Sequence, residues 1–287
     1  MLLSTATVLF GTPDSAPSRD ARDRNAYIGA PKPGRPFVKK FVANFLLDQK
    51  DIWTSPFHIN QSSAKWWALT GAGTAILLAI DHPVSQALPT HGESVDFGTA
   101  ASRAGQWYTV FPAAGALLGA GWVFHDDKLV ETGALSLQAL ADADLVANVF
   151  KVVARRQRPL DGDRGGHFEK GGSSFPSGHS TQAWALASVI ADEYGNHKWV
   201  PFVSYGYAVI ISASRVAAQE HFTSDVFVGA AVGFFVGRYV VRTQRIHREH
   251  LSQGHSRLYI PTVLPTVTTS ALTLNLSWQL DKHGSDF

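Results

Sequence analysis

Three short segments of this chain carry side chains that bind anions, move protons or attack electrophiles. In Ser214-Arg215-Val-Ala-Ala-Gln-Glu-His221-Phe-Thr-Ser-Asp225, His221 and Asp225 are four residues apart, so a helix puts them on one face. A carboxylate beside a ring N–H fixes the imidazole tautomer and stabilises the imidazolium, leaving the other nitrogen free to attack. Arg215 offers a planar fork for two phosphate oxygens. In Pro176-Ser177-Gly178-His179-Ser180, just before an apolar run, Ser177 or a neighbour is expected to cap a helix, and Gly178 lets another group come close. Exposed N–H groups at a helix start form an anion site, and His179 in the first turn can give a proton to an oxyanion. In Lys151-Val-Val-Ala-Arg-Arg-Gln-Arg158-Pro159, Lys151 and Arg158 are seven apart, which predicts a shared helix face ended by Pro159. Taken singly, each segment also has a plainer reading. They are a dipole-capped helix end, an ordinary N-cap loop and a structural His/Asp pair.

Taken together they resemble one signature. Lys-x6-Arg-Pro, then Pro-Ser-Gly-His, then Ser-Arg-x5-His-x3-Asp, over Lys151–Asp225, is similar to the motif of the type 2 phosphatidic acid phosphatase and vanadium haloperoxidase-like superfamily. The resemblance implies an all-α fold, a six-helix bundle with the three motifs converging at one end. It implies a phosphatase of the lipid phosphate branch, cleaving a phosphomonoester or diphosphate through a phosphohistidine. His221 would be the nucleophile, with Asp225 orienting it. His179 would protonate the leaving oxygen and later activate water. Lys151, Arg158, Arg215, Ser177 and the Gly178 N–H would hold the phosphate. The same family contains soluble acid phosphatases and haloperoxidases, whose pocket takes vanadate as inhibitor or as cofactor. A membrane protein that only binds phospholipid is a third reading. It has no need of a nucleophile and an acid.

The residue pattern agrees with phosphoryl transfer without a metal. That chemistry needs in-line positioning and neutralised oxygens, which three cations and a helix N-terminus supply. The chain has no His-Glu-x-x-His and no acidic metal-type cluster near the motifs, so no metal or other cofactor is expected. His247, His250 and His255 form a loose tract that reads as solvated. The expected partner is a phosphorylated lipid or isoprenoid, at a membrane.

These residues must be positioned by helices. Six apolar stretches run roughly over Lys65–Ile80, Gly105–Phe124, Leu129–Lys151, His179–Tyr194, Trp199–Ser214 and Ser224–Val241, each long for a buried strand. Between Arg158 and Pro176 lies a Gly-rich polar loop, a length that in a helical domain is usually functional. The organisation expected is an arm over 1–64, a catalytic domain over 65–242 and a tail over 243–287. The arm is broken by Pro and Gly up to residue 36 and then carries a short amphipathic helix, Phe37–Asp51. Its apolar opening, Met1–Gly11, lacks a basic start and leaves a signal-peptide remnant open. Alternation in Leu272-Thr-Leu-Asn-Leu-Ser-Trp278 predicts a small terminal β-hairpin.

Composition narrows the setting. The 287 residues hold 25 basic and 23 acidic side chains, too even a balance for a nucleic-acid binder. No cysteine is present, which removes thiol catalysis and disulfides. Charged residues are 17%, against about 25% in a typical soluble domain. Basic residues cluster at Lys32–Lys40 and Arg238–Arg248. If all six stretches cross a bilayer, both clusters fall on the cytoplasmic side and the site on the extracytoplasmic, periplasmic one. The polar side chains of Leu129–Lys151 would then have to face inward. A soluble periplasmic bundle is the alternative.

Overall fold

In the computed structural model, which describes residues 26–28, 36–255, 262–268 and 271–277, the six apolar stretches are helices. They are α2 (Gln61–Ala87), α4 (Trp107–Phe124), α5 (Asp127–Ala154), α6 (Gly178–Glu193), α7 (Trp199–Ala217) and α8 (Thr223–His255). The arm contributes α1 (Phe37–Thr54). One further helix, α3 (Glu93–Ser102), gave no signal as a long apolar run, so six is not the helix count. Residues 1–247 form one unit and 248–287 another. Within the second, β1 (Thr262–Thr268) pairs antiparallel with β2 (Ala271–Ser277), Thr262 opposite Ser277. The possible signal remnant lies outside the described residues.

The helix starts are written in local chemistry. Asn60 caps α2 by accepting from Ser63 N at 2.8 Å, and Ser63 Oγ accepts from Asn60 N in return. Asp126 caps α5 through Leu129 N at 3.0 Å. Alanines then let α5 and α6 pack closely: Ala139, Ala143 and Ala185 share a core with Leu135, Val189 and Val240. A row of glycines brings α8 against α6. A Cβ at Gly229, Gly233 or Gly237 would lie 2.5, 2.1 or 2.6 Å from the carbonyl oxygens of Ser177, Thr181 and Ala185. Small residues four apart are how helices make backbone contact without a bulky seam. This contact fixes the start of α8 beside the start of α6, where two of the three motifs lie.

Polarity runs partly inside out. Helix α1 buries Asn44, Asp48 and Gln49 while Val38 and Leu46 face outward. Gln49 Nε2 donates to Asp142 Oδ1 at 2.8 Å, and Gln138 Nε2 donates to Asp48. Glu131, Gln138 and Asp142 of α5 are buried, as an inward-facing polar set would be. Asn148 is exposed and bonds Asp144 at 2.9 Å. Large apolar side chains such as Trp107, Phe124, Val152, Trp199 and Phe202 are exposed. Among the described residues, three segments, Glu93–Phe124, Trp199–Ala217 and Thr223–Arg245, are long and apolar enough to cross a membrane. Helix α6, with 16 residues, falls short of the ~20 that a span needs.

Candidate active site

The three motifs meet where α5 ends, α6 begins, α7 ends and α8 begins. Two local expectations need correction. Helix α5 stops at Ala154 with Arg155 in the left-handed region (φ 43°), so Arg158 lies beyond the helix and shares no helical face with Lys151. The chain turns four residues before Pro159 because Arg155 N closes the helix onto Lys151 O at 3.0 Å. Likewise His221 precedes α8, so no helix face pairs it with Asp225. Gln219, left-handed at φ 55°, ends α7, and the turn ties Glu220 N and His221 N to Arg215 O. Asp225, in the first turn of α8, accepts from Phe222 N at 2.9 Å and closes the turn from the other side.

The Gly-rich loop delivers the residue that holds the imidazole. Gly172 and Ser174 donate their N–H groups to Arg155 O and Arg156 O. A Cβ at Gly172 would lie 2.0 Å from Arg156 O, so only glycine lets the returning chain approach this closely. Ser174 O then meets His221 Nδ1 at 2.7 Å. A carbonyl only accepts, so Nδ1 carries the proton and Nε2 carries the free lone pair. Asp225 Oδ2 is 3.8 Å from Nδ1 and takes the Ser174 hydroxyl at 2.6 Å. Burial lowers the pKa of His221 below its ordinary value, and the Asp225 carboxylate offsets part of that drop.

The cations surround the opening of α6. A Cβ at Gly178 would touch Lys151 Nζ at 3.0 Å, so the ammonium lies against the first residue of the helix. Arg215 is buried; its Nη1 donates to Ser102 Oγ at 2.8 Å, at the end of α3. Glu220 stands between two arginines, bonded to Arg158 Nη1 and 3.5 Å from Arg215 Nη2. Ser177 occupies the N-cap position of α6, but its hydroxyl makes no cap bond, contrary to expectation. Its N–H is spent on Asp225 O at 2.9 Å. Among the described residues, Ser177 Oγ, His179 Nε2 and Arg215 Nε are buried and make no hydrogen bond. Burial and the positive charge of Arg215, followed by His221, Lys151 and Arg158, hold His179 down to a pKa of about 3. Buried donors and cations of this kind stabilise an oxyanion and oppose any further positive charge.

Sequence reasoning did not reach five contributors. Ser102 and Glu220 hold Arg215, and Arg156 with Asp81 holds Asp225. Asp81 left one signal, a carboxylate at the end of an apolar stretch, costly in an apolar setting unless paired. Ser174 left none, because its contact with His221 is made by a backbone carbonyl.

Residues 133–249 match the family model described as the PAP2 superfamily. The chain is 41% identical over 66 residues to a lipid A 1-phosphatase of Porphyromonas gingivalis, covering 23% of this chain and 15% of that one. It is 28% identical over 128 residues to a lipid A 4'-phosphatase of the same organism (40% and 52%). It is 30% identical over 128 residues to phosphatidylglycerophosphatase B of Bacillus subtilis (42% and 61%). The match thus spans less than two thirds of each curated relative. The crystal structure of a transmembrane PAP2-type phosphatidylglycerolphosphate phosphatase from B. subtilis aligns with a TM-score of 0.46 at 21% identity, covering 77% of this chain and 98% of that one. The crystal structure of Aquifex aeolicus LpxE aligns at 0.41 and 25% identity, covering 57% and 94%.

Proposed function

We propose that this chain, a member of the PAP2 superfamily over residues 133–249, is a phosphatase of lipid-like phosphomonoesters or diphosphates. One observation carries the reading. Lys151, Arg158 and Arg215 surround two histidines at a helix start, with buried donors still unpaired. His221 Nε2 attacks phosphorus in line, and the P–O bond to the lipid breaks. The bound phosphate offsets the surrounding cations, so His179 takes up a proton in the complex and gives it to the leaving oxygen. The imidazolium formed on His221 is neutralised by Asp225, while Ser174 O holds its Nδ1–H. His179, now neutral, takes a proton from water, whose oxygen attacks the phosphohistidine and frees inorganic phosphate. The cations balance the equatorial oxygens throughout, so the reading calls for no metal. Vanadate would bind as an inhibitor.

The named relatives act on lipid A and phosphatidylglycerophosphate, which makes a lipid headgroup the favoured substrate class. Exposed apolar helices support a multi-pass membrane protein, with Glu93–Phe124, Trp199–Ala217 and Thr223–Arg245 as spans. Orientation follows from α8. Asp225 is at its start and Arg242 and Arg245 are 17 and 20 residues on, about 26–30 Å away at 1.5 Å per residue. The positive-inside rule puts the arginine end in the cytoplasm and the site on the extracytoplasmic face. The deciding experiment is phosphate release in detergent with EDTA, from phosphatidate, phosphatidylglycerophosphate, a polyprenyl diphosphate and a water-soluble monoester. Turnover of a lipid phosphate well above the soluble ester supports the reading. Turnover of the soluble ester alone, or none, overturns it.

A further inference from the structure

Behind Asp225 lies a second buried carboxylate, Asp81 of α2, and one guanidinium serves both. Arg156 Nη1 donates to Asp225 Oδ1 at 2.6 Å and to Ser224 Oγ at 2.7 Å, and Nη2 donates to Asp81 Oδ2 at 2.8 Å. Its Nε donates to Gly166 O at 2.9 Å. The rings of Phe168 and Phe222 pack on the guanidinium at 4.9 and 4.3 Å. Asp81 also accepts from Ser224 N at 3.0 Å and from the Ser224 hydroxyl, so it grips the first turn of α8. Arg156 and Asp81 are each 2% exposed and Asp225 is fully buried.

The charges in this cluster do not cancel. Two carboxylates share one guanidinium, which leaves one net negative charge beside His221. Were Asp225 alone with Arg156, the pair would be neutral and would do little for an imidazolium. Asp81 therefore pays half of the arginine's charge and frees the Asp225 carboxylate to act on the ring. We infer that Asp81 and Arg156 are positioning residues that set the charge felt by His221, acting through Asp225 and without touching substrate. The inference rests on the phosphohistidine reading above. The other charged groups facing His221 are Arg215 from α7, Arg158 and Glu220 from the loops, Lys151 from α5 and His179 from α6. The hydrogen-bond partners of Asp81 are Arg156 and Ser224.

The test is the full-length protein in detergent with Asp81→Asn and with the double variant Asp81→Asn/Arg156→Gln. The double variant restores the net charge, since Asp225 then stands alone. Two readouts are used: kinetics on the lipid phosphate, and the titration of the His221 ring by NMR of 15N-histidine protein, assigned with His221→Ala. Asp81→Asn should lower the His221 midpoint by about one pH unit, as for one charge at close range. kcat should fall roughly tenfold or more with KM little changed, since only the imidazolium is affected. The double variant should move the midpoint and kcat back toward wild type. A merely structural pair would change stability and kcat and leave the His221 midpoint where it is, because removing both partners of a buried ion pair can restore stability by itself. An unmoved midpoint in Asp81→Asn, or a double variant no better than the single or unfolded, overturns the inference. Failure of the phosphohistidine reading shows separately, as wild-type protein that traps no phosphate on His221 while its ring still titrates.

Discussion

The Ser174 carbonyl oxygen and the His221 Nδ1 are 2.7 Å apart, closer than any carboxylate oxygen comes to that ring nitrogen. The tautomer of His221 is thus set by a backbone group from the Gly-rich loop. Asp225, at 3.8 Å, acts on the ring by charge and by fixing Ser174 through its hydroxyl. The two jobs of an orienting residue are here divided between two residues.

Asp225→Asn separates those jobs. The amide keeps the side-chain shape and removes the charge that balances the imidazolium. Activity should fall by up to about 10⁴-fold, the scale of such a change in a histidine–aspartate dyad. Circular dichroism and vanadate binding report whether the fold survives. Activity within a few-fold of wild type would make Asp225 a helix-capping residue only.

His221→Ala should remove turnover altogether, a loss on the order of 10⁶ for a missing nucleophile. Acid-labile, base-stable phosphate should be trapped on the wild-type chain during turnover and be absent from the variant. A folded His221→Ala protein that still turns over would place the nucleophile elsewhere.

Arg215→Lys should be poorly tolerated although the charge is kept. The guanidinium uses Nη1 on Ser102 and leaves Nε unpaired, a fork that an ammonium cannot copy. The expected loss in kcat/KM is about 2–4 kcal/mol, as for an oxyanion donor. A near-neutral result would reduce Arg215 to a point charge.

Chelators should leave the activity intact, and vanadate should block it. Vanadate adopts the trigonal-bipyramidal shape of the phosphoryl in flight and would sit among Lys151, Arg158 and Arg215. Loss of activity in EDTA, restored by a divalent ion, would require a metal that the present reading does not use.

Anion binding should take up a proton through His179. In the free site its pKa is about 3, so the ring is neutral at ordinary pH. An incoming phosphate offsets the cations around it and raises that pKa. Between the free and bound values the complex holds more protons than the free protein, so affinity increases as pH falls. Calorimetry of phosphate binding in buffers of different ionisation heat measures the uptake, and His179→Gln should lower it. Equal uptake in both proteins would remove His179 from the acid role.

What the sequence determined by itself is the chemistry set and the helices that carry it. Lys151, Arg158, Ser177, Gly178, His179, Arg215, His221 and Asp225 all stand where α5, α6, α7 and α8 begin or end, because motif residue types and apolar runs are local properties of the chain. The pairing of α8 with α6 was not read from the sequence, because what the spacing of Gly229, Gly233 and Gly237 serves shows only in their contacts with the Ser177, Thr181 and Ala185 carbonyls. What only the tertiary structure decided is how those residues are held. Spacing of four made His221 and Asp225 look like helix neighbours, but a left-handed Gln219 puts His221 outside the helix. Spacing of seven made Lys151 and Arg158 look like one face, but the chain turns at Arg155. Ser174, Arg156 and Asp81 come from segments far apart in sequence and meet the motif through one carbonyl and one shared guanidinium. Periodicity reads side-chain type along one element. Backbone acceptors and charge balance between elements exist only once the chain has closed on itself.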